Sequence, residues 1–159
     1  MSRVYLDTNY LFGLMRQTEQ SAPAEYLYWR ERVEAEIGSD RPLISALVVD
    51  ELAYRLVLAW LRDSGDAAAL ATFRRSTVTV MKRMRGRLAG LWKALDNLDL
   101  DLAPSHLSSM HIAQSLMSDL GLASRDAFHA AYAVEGRCDW IVSSGAAFDR
   151  VPQLRRLGP

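Results

Sequence analysis

Residues 4–9, Val4-Tyr5-Leu6-Asp7-Thr8-Asn9, are a short apolar run that ends abruptly in a carboxylate, a hydroxyl and an amide. Three large apolar residues cut off by polar ones predict a buried strand. If this is the first strand of an open α/β sheet, Asp7 stands at its carboxyl end, where such sheets bind ligands. A plainer reading competes: Asp, Thr and Asn all cap helices well, and a short helix is expected from Tyr10 to Gln17. One Asp does not separate the two readings. Carboxylates at equivalent places further along would.

Composition narrows the possibilities. The chain has 159 residues, half of them apolar, which predicts one domain over residues 1–159 with a sizeable core. Lys plus Arg number 19 and Asp plus Glu number 19, which argues against nucleic-acid binding by bulk charge but leaves local patches open. No run of about 18 apolar residues occurs, so no membrane span and no membrane partner are expected. Met1 leads at once into the predicted core strand, leaving no room for a signal peptide. The lone Cys138 allows neither an intrachain disulfide nor a cysteine-built zinc site. These features predict a cytoplasmic protein.

Periodicity lays out the rest. A loop over 17–23 precedes a helix from Pro23 to Ile37, with Tyr26, Trp29 or Arg30, Val33 and Ile37 on one face and Gly38 ending it. Its aromatic residues Tyr26, Tyr28 and Trp29 suit core packing or partner anchoring. After the turn Asp40-Arg41-Pro42 comes a second short apolar strand, Leu43-Ile44-Ser45-Ala46. Ser45 can cap a helix that runs to about Arg62 and carries Glu51 in its second turn.

Between Asp66 and Asn97, Leu70, Phe73, Thr77, Met81, Met84, Leu88, Leu91 and Leu95 step by three or four, a helical stripe. The β-branched run Thr77-Val78-Thr79-Val80 predicts a break near Ser76. Arg74, Arg75, Lys82, Arg83, Arg85, Arg87 and Lys93 fall here with no acid among them. They suit the solvated face of an amphipathic helix, or a surface contacting phosphate or a partner. The methionines of the stripe suit core or a dimer interface.

Leu98-Asp99-Leu100-Asp101-Leu102 alternates, predicting a half-buried edge strand with both acids outward. A helix over 107–120 closed by Gly121 follows, then one from Arg125 to about Glu135 capped by Ser124, with Asp126 in its first turn. Trp140-Ile141-Val142 reads as the last buried strand, and Phe148, Val151 and Leu154 as pins holding the tail to the core. Strands near 4, 43, 98 and 140 separated by helices make an α/β domain with a mostly parallel sheet.

Three carboxylates now occupy comparable places. Asp7 ends the first strand, Glu51 lies just inside the helix after the second, and Asp126 opens the helix before the last. A hard divalent cation wants one or two carboxylates plus water and substrate phosphate oxygens. Such an ion polarises a phosphoryl group and acidifies bound water. The pattern points to metal-dependent phosphoryl chemistry.

In these residues the chain resembles the PIN-domain family, specifically the toxin-type (VapC-like) ribonucleases of toxin–antitoxin pairs. Val4-Tyr5-Leu6-Asp7-Thr8-Asn9 is similar to the family's opening motif, and residues 44–52, Ile44 to Leu52 with Glu51, to the second. Gly121 to Ala131, containing Asp126, is similar to the third, and Asp139 to Val151 to the closing one. The resemblance implies a three-layer α/β/α fold and a Mg²⁺- or Mn²⁺-dependent endonuclease acting on RNA. It implies that Asp7, Glu51 and Asp126 are the catalytic, metal-holding acids, with Thr8 or Asn9 orienting Asp7. A metal-activated water would hydrolyse the phosphodiester, leaving a 5′-phosphate and a 3′-hydroxyl. An antitoxin covering the site and a homodimer are the protein partners expected.

The chain also departs from the family. Gly145 and Ala147 stand where it usually carries a fourth acid, and Ser143 and Ser144 offer polarity without charge. Asp149 follows Phe148 and is expected to point elsewhere. The alternative is therefore a catalytically weakened or inactive PIN domain that binds RNA or a protein. A more distant rival uses Asp7 as a nucleophile, as haloacid-dehalogenase-like enzymes do, but those need an acid where Asn9 stands. His129, three residues after Asp126, is read as a packed or hydrogen-bonded histidine, and Arg125 as a phosphate contact or the partner of a nearby acid.

Overall fold

In the computed structural model of the chain, residues 3–17, 24–37 and 41–159 are described. Of the loop expected over 17–23, Gln17 is the last residue of a helix and 18–23 lie outside them, as do the helix stop at Gly38 and the turn residue Asp40. The strands are β1 (Val4–Leu6), β2 (Leu43–Ile44), β3 (Asp101–Leu102), β4 (Trp140–Val142) and β5 (Arg155–Leu157). They form one sheet in the order β3-β2-β1-β4-β5, every neighbouring pair parallel. Tyr5 pairs with Leu43 on one side and Ile141 on the other, fixing β1 at the centre. All three residues of β1 are buried, which is why this strand reads as an unbroken apolar run.

The helices are α1 (Thr8–Gln17), α2 (Ala24–Ile37), α3 (Ala46–Asp63), α4 (Ala69–Arg75), α5 (Thr77–Asp96), α6 (Leu107–Leu120) and α7 (Ser124–Glu135). Parallel neighbours require crossovers, and their right-handedness puts α1–α5 on one face of the sheet and α6 and α7 on the other. The result is the expected three-layer α/β/α arrangement. From β1 the chain moves outward to β2 and β3, then returns to β4 on the far side of β1. The carboxyl ends of β1 and β4 therefore flank the switch point, where open α/β sheets form a crevice.

Several local expectations agree in detail. Ser45 caps α3, its side chain accepting from the Val48 N–H at 3.4 Å. The long periodic segment breaks at Ser76, between α4 and α5. Gly121 closes α6 in the left-handed conformation at φ 65°. Phe148, Val151 and Leu154 are buried. In α2, Trp29 and Val33 are buried, and Tyr26 and Trp29 pack with Tyr10, so of the three aromatic residues only Tyr28 is exposed.

Others are corrected. The strand expected over 98–102 shrinks to Asp101–Leu102, because Asp99 adopts φ 50° and breaks the extended run. Leu102 faces solvent, and both acids bond Arg41, Asp99 at 2.9 Å and Asp101 at 3.3 Å. Ser124 is the first residue of α7 and not its cap; Ala123 holds that place without a side-chain bond. Helix α1 starts at Thr8, two residues earlier than expected. The edge strand β5 was not anticipated at all. No described helix is long and apolar enough to cross a membrane.

Candidate metal centre

The end of β1 converts directly into α1. The Asp7 carbonyl accepts from the N–H groups of Tyr10 at 3.2 Å and Leu11 at 3.4 Å. Asp7 thus opens the helix through its backbone, leaving its carboxylate for the crevice. The capping and functional readings of this residue are compatible.

Three donors hold that carboxylate. Oδ1 accepts the Thr8 N–H at 2.6 Å, and Oδ2 accepts Asn9 Nδ2 at 2.9 Å and Ser143 Oγ at 2.6 Å. Ser143, at the end of β4 and buried, also accepts from Asn9 Nδ2 and the Gly145 N–H, both at 3.0 Å. Its hydroxyl orients Asp7 and has no lone pair left over for a cation. Ser144 contributes its backbone N–H, which donates to Asn9 Oδ1 at 3.3 Å.

Glu51 enters from the second turn of α3. Its Oε2 accepts the Thr8 hydroxyl at 2.8 Å and faces His129 Nε2 at 3.1 Å, while Oε1 pairs with Arg125 at 3.1 Å. Burial alone would push this carboxyl up, but the bonds from His129 and Thr8 and the charge of Arg125 outweigh it and hold it below the ordinary range. Thr8 is the link between the acids: its backbone serves Asp7 and its side chain serves Glu51.

His129 reaches the same point from the opposite layer. Ala127, Ala130, Ala131 and Ala133 are buried, and their small side chains let α7 lie close to the sheet. The ring is buried, with Nε2 3.6 Å from Asp7 Oδ1 and Nδ1 2.9 Å from the Tyr5 hydroxyl. That hydroxyl is 2.7 Å from Ser45 Oγ. Carboxylates only accept, so Nε2 carries a proton toward Glu51, and in a neutral ring Nδ1 then accepts from Tyr5. Tyr5 in turn accepts from the Ser45 hydroxyl. With this tautomer every side-chain polar hydrogen in the chain Ser45–Tyr5–His129–Glu51 has an acceptor.

Asp7, Glu51 and His129 each offer a ligand atom within 4.8 Å of the others. Asp126 is half-buried at the start of α7 and is not part of that tight group. It senses the group electrostatically: burial first, then the negative charge of Asp7, raises its carboxyl above the ordinary value, with Glu51 adding to the effect. The arrangement fits a divalent cation. Two carboxylates converge, a third is perturbed by their charge, and Asp7 Oδ1 and Glu51 Oε1 each keep acceptor capacity. Oxygen donors of this kind suit Mg²⁺ or Mn²⁺.

The structure therefore unites Asp7, Glu51, Thr8, Asn9 and Ser143, keeps Asp126 within electrostatic reach, and brings His129 against the acids. His129, expected to be a packed or hydrogen-bonded histidine, is hydrogen-bonded, and its place between the acids goes beyond that expectation. Its spacing of three from Asp126 at the start of an apolar helix was the available signal. At the family's fourth-acid place, a Cβ on Gly145 would meet Phe148 Cε2 and Ser143 Oγ, each at 3.3 Å. Asp149 turns away to Arg156 at 2.8 Å.

Comparison with known proteins bears on this geometry. The fold is similar to the crystal structure of VapBC2 from Rickettsia felis bound to a DNA fragment from their promoter, with TM-score 0.58 and 17% identity over 98% of this chain and 97% of that one. No curated protein matches the chain in sequence. The PIN domain family matches residues 4–154, and with Asp7, Glu51 and Asp126 all inside that span, the chain belongs to the PIN domain family.

Proposed function

We propose that the chain is one PIN-type domain acting as a metal-dependent endoribonuclease, the toxin of a toxin–antitoxin pair. The observation that carries this reading is the convergence of Asp7 and Glu51 at the switch point of a PIN-family sheet, with Asp126 perturbed by their charge. Asp7, Glu51 and Asp126 would hold Mg²⁺ or Mn²⁺. When bound, the ion supplies Lewis-acid polarisation of a phosphodiester and acidifies water at neutral pH.

The chain's own residues do the rest. Asn9 and Ser143 lock the Asp7 carboxylate in one orientation, and Thr8 ties it to Glu51. His129 holds Glu51 from the opposite side, steadied by Tyr5 and Ser45. Arg125, whose side chain is 69% exposed, can leave Glu51 for a substrate phosphate once a cation balances the acid. Likeness to a VapBC2 structure supports an antitoxin as the protein partner. A homodimer and a cytoplasmic setting complete the proposal.

A second reading has its own support: no carboxylate stands at the end of β4, where Ser143 is already saturated by Asp7, Asn9 and Gly145. A domain with so weakened a metal site would bind RNA or protein without cutting. Incubating the purified chain with structured RNA and Mn²⁺, beside an Asp7→Asn control, separates the two. Cutting that yields 5′-phosphate ends and stops in the control supports the nuclease. Intact RNA, or cutting that persists in the control, rejects it.

A further inference from the structure

The longest helix has an outer face that the catalytic reading leaves unused. Helix α5 buries Val80, Met84, Leu91 and Leu95. On the opposite side, Lys82, Arg85, Ala89 and Lys93 follow one another at steps of three and four, a single line along the helix. All are exposed, and a Cβ at neighbouring Gly86 or Gly90 would meet nothing within 4 Å. Among the described residues, Arg74, Arg75, Lys82, Arg83, Arg85 and Lys93 take part in no ion pair. At the base of the helix, Arg62, Arg74 and Arg75 line a hollow of about 520 Å³. Trp92, 45% exposed, flanks the line near its other end.

We infer that this face is a phosphate-tracking surface that binds RNA away from the metal centre. The inference rests on the reading of the substrate as RNA. Net charge decides the sign of the field: seven of the 19 basic residues lie in 67–95, which contains no acid, so the remainder of the molecule is acidic. A partner carrying dense negative charge is drawn to this segment and repelled elsewhere. Small residues at the centre of the line let a sugar–phosphate backbone approach the helix. A protein partner would instead need large apolar anchors at the centre, with charge at the rim. Trp92 offers a face on which a base can stack.

The position implies something about the RNA. Helix α5 runs antiparallel to α3: Trp92 and Leu95 lie with Val49 near its start, and Arg87 stacks on Trp60 near its end, 5.6 Å from the ring centre. Glu51 is at the start of α3, so the basic line, about 16 Å from Lys93 to Lys82, leads away from that end of α3. An RNA that touches both must extend well beyond the few nucleotides that fill the crevice. The surface selects for long or folded RNA and has no grip on a tetranucleotide.

The test uses the full chain carrying Asp7→Asn, so that RNA is bound but not cut, with a fluorescein-labelled RNA hairpin as probe. Combining Lys82→Glu, Arg85→Glu and Lys93→Glu should weaken binding at least about tenfold at low salt. The salt dependence should flatten by about 2 to 3 in log–log slope, about 0.7 (single strand) to 0.9 (duplex) for each phosphate no longer neutralised. The corresponding Gln variants, which keep the helix free of new acids, should flatten the slope equally. With Asp7 restored, the same variants should cleave a tetranucleotide as fast as the parent chain does. Unchanged affinity and slope would overturn the inference and leave the face to an acidic protein partner. So would an equal loss on hairpin and tetranucleotide. If no RNA is cut at all but hairpin binding still depends on these residues, the surface stands and the nuclease reading falls.

Discussion

Tyr5 lies in the centre of the sheet yet ends in a hydroxyl that serves the metal centre. Removing only that oxygen, by Tyr5→Phe, leaves His129 Nδ1 and the Ser45 hydroxyl without their partner in a buried setting. Stranding buried polar groups costs about 1–3 kcal/mol, so denaturant unfolding should show a loss in that range. The imidazole keeps its Nε2–H on Glu51 but loses the hydroxyl at Nδ1, so the Nδ1 resonance of His129 in nitrogen NMR should shift. An unaltered Nδ1 resonance would show that Tyr5 does not donate to the ring. Glu51 and Asp126 give opposite signs with pH in the metal-free chain. Glu51 is held below its ordinary 4.5, so it stabilises above that pH and the contribution is lost as pH falls through the lowered value. Asp126 is raised above its ordinary 3.8, so it stabilises only when protonated and this is lost as pH rises through the raised value. Near neutrality Glu51→Gln should therefore destabilise and Asp126→Asn stabilise, with both pH-dependent differences fading in acid. Thermal unfolding at the two pH values checks the pair, and equal signs at neutrality would contradict it.

Helices α1 and α2 meet through aromatic side chains, and the fit depends on a residue with no side chain. Tyr26 stacks on Tyr10 at 5.9 Å between ring centres and donates its hydroxyl to the Tyr10 carbonyl at 2.8 Å. A Cβ on Gly13 would lie 2.2 Å from Tyr26 Cε2, and the ring is too constrained to retreat. Gly13→Ala, which would stabilise an open helix, should here cost about 1–3 kcal/mol, the range for overpacking. A neutral or raised melting temperature would refute this docking. Elements like β1 and β4 were legible in the sequence because burial on both faces leaves an unbroken apolar run. Residues 98–102 were misread because alternation says nothing of φ, and Asp99 sits in the left-handed region. Strand β5 gave no apolar signal: its two arginines work outside the core, Arg155 over the Trp140 ring at 4.0 Å and Arg156 on Asp149. Of the centre, Asp7 and Glu51 were legible because each is fixed at the end of a regular element. The place of His129 depends on how α7 crosses the end of β1, and no local pattern encodes that crossing.

At the scale of the whole molecule, two features of opposite charge lie on separate parts of one fold. Acids gather at the switch point of the sheet, and bases gather on α4 and α5. The neutral total conceals this division. A centre with converging acids calls for a cation, and the entire account depends on Asp7 and Glu51 providing its seat. Titration of the metal-free chain with Mn²⁺, followed by electron paramagnetic resonance, measures this directly and independently of any substrate. Saturable binding of one Mn²⁺ per chain is expected, displaced by excess Mg²⁺ and weakened about tenfold or more by either Asp7→Asn or Glu51→Gln. Mn²⁺ binding that is absent, or equally tight in the parent chain and both variants, would contradict it.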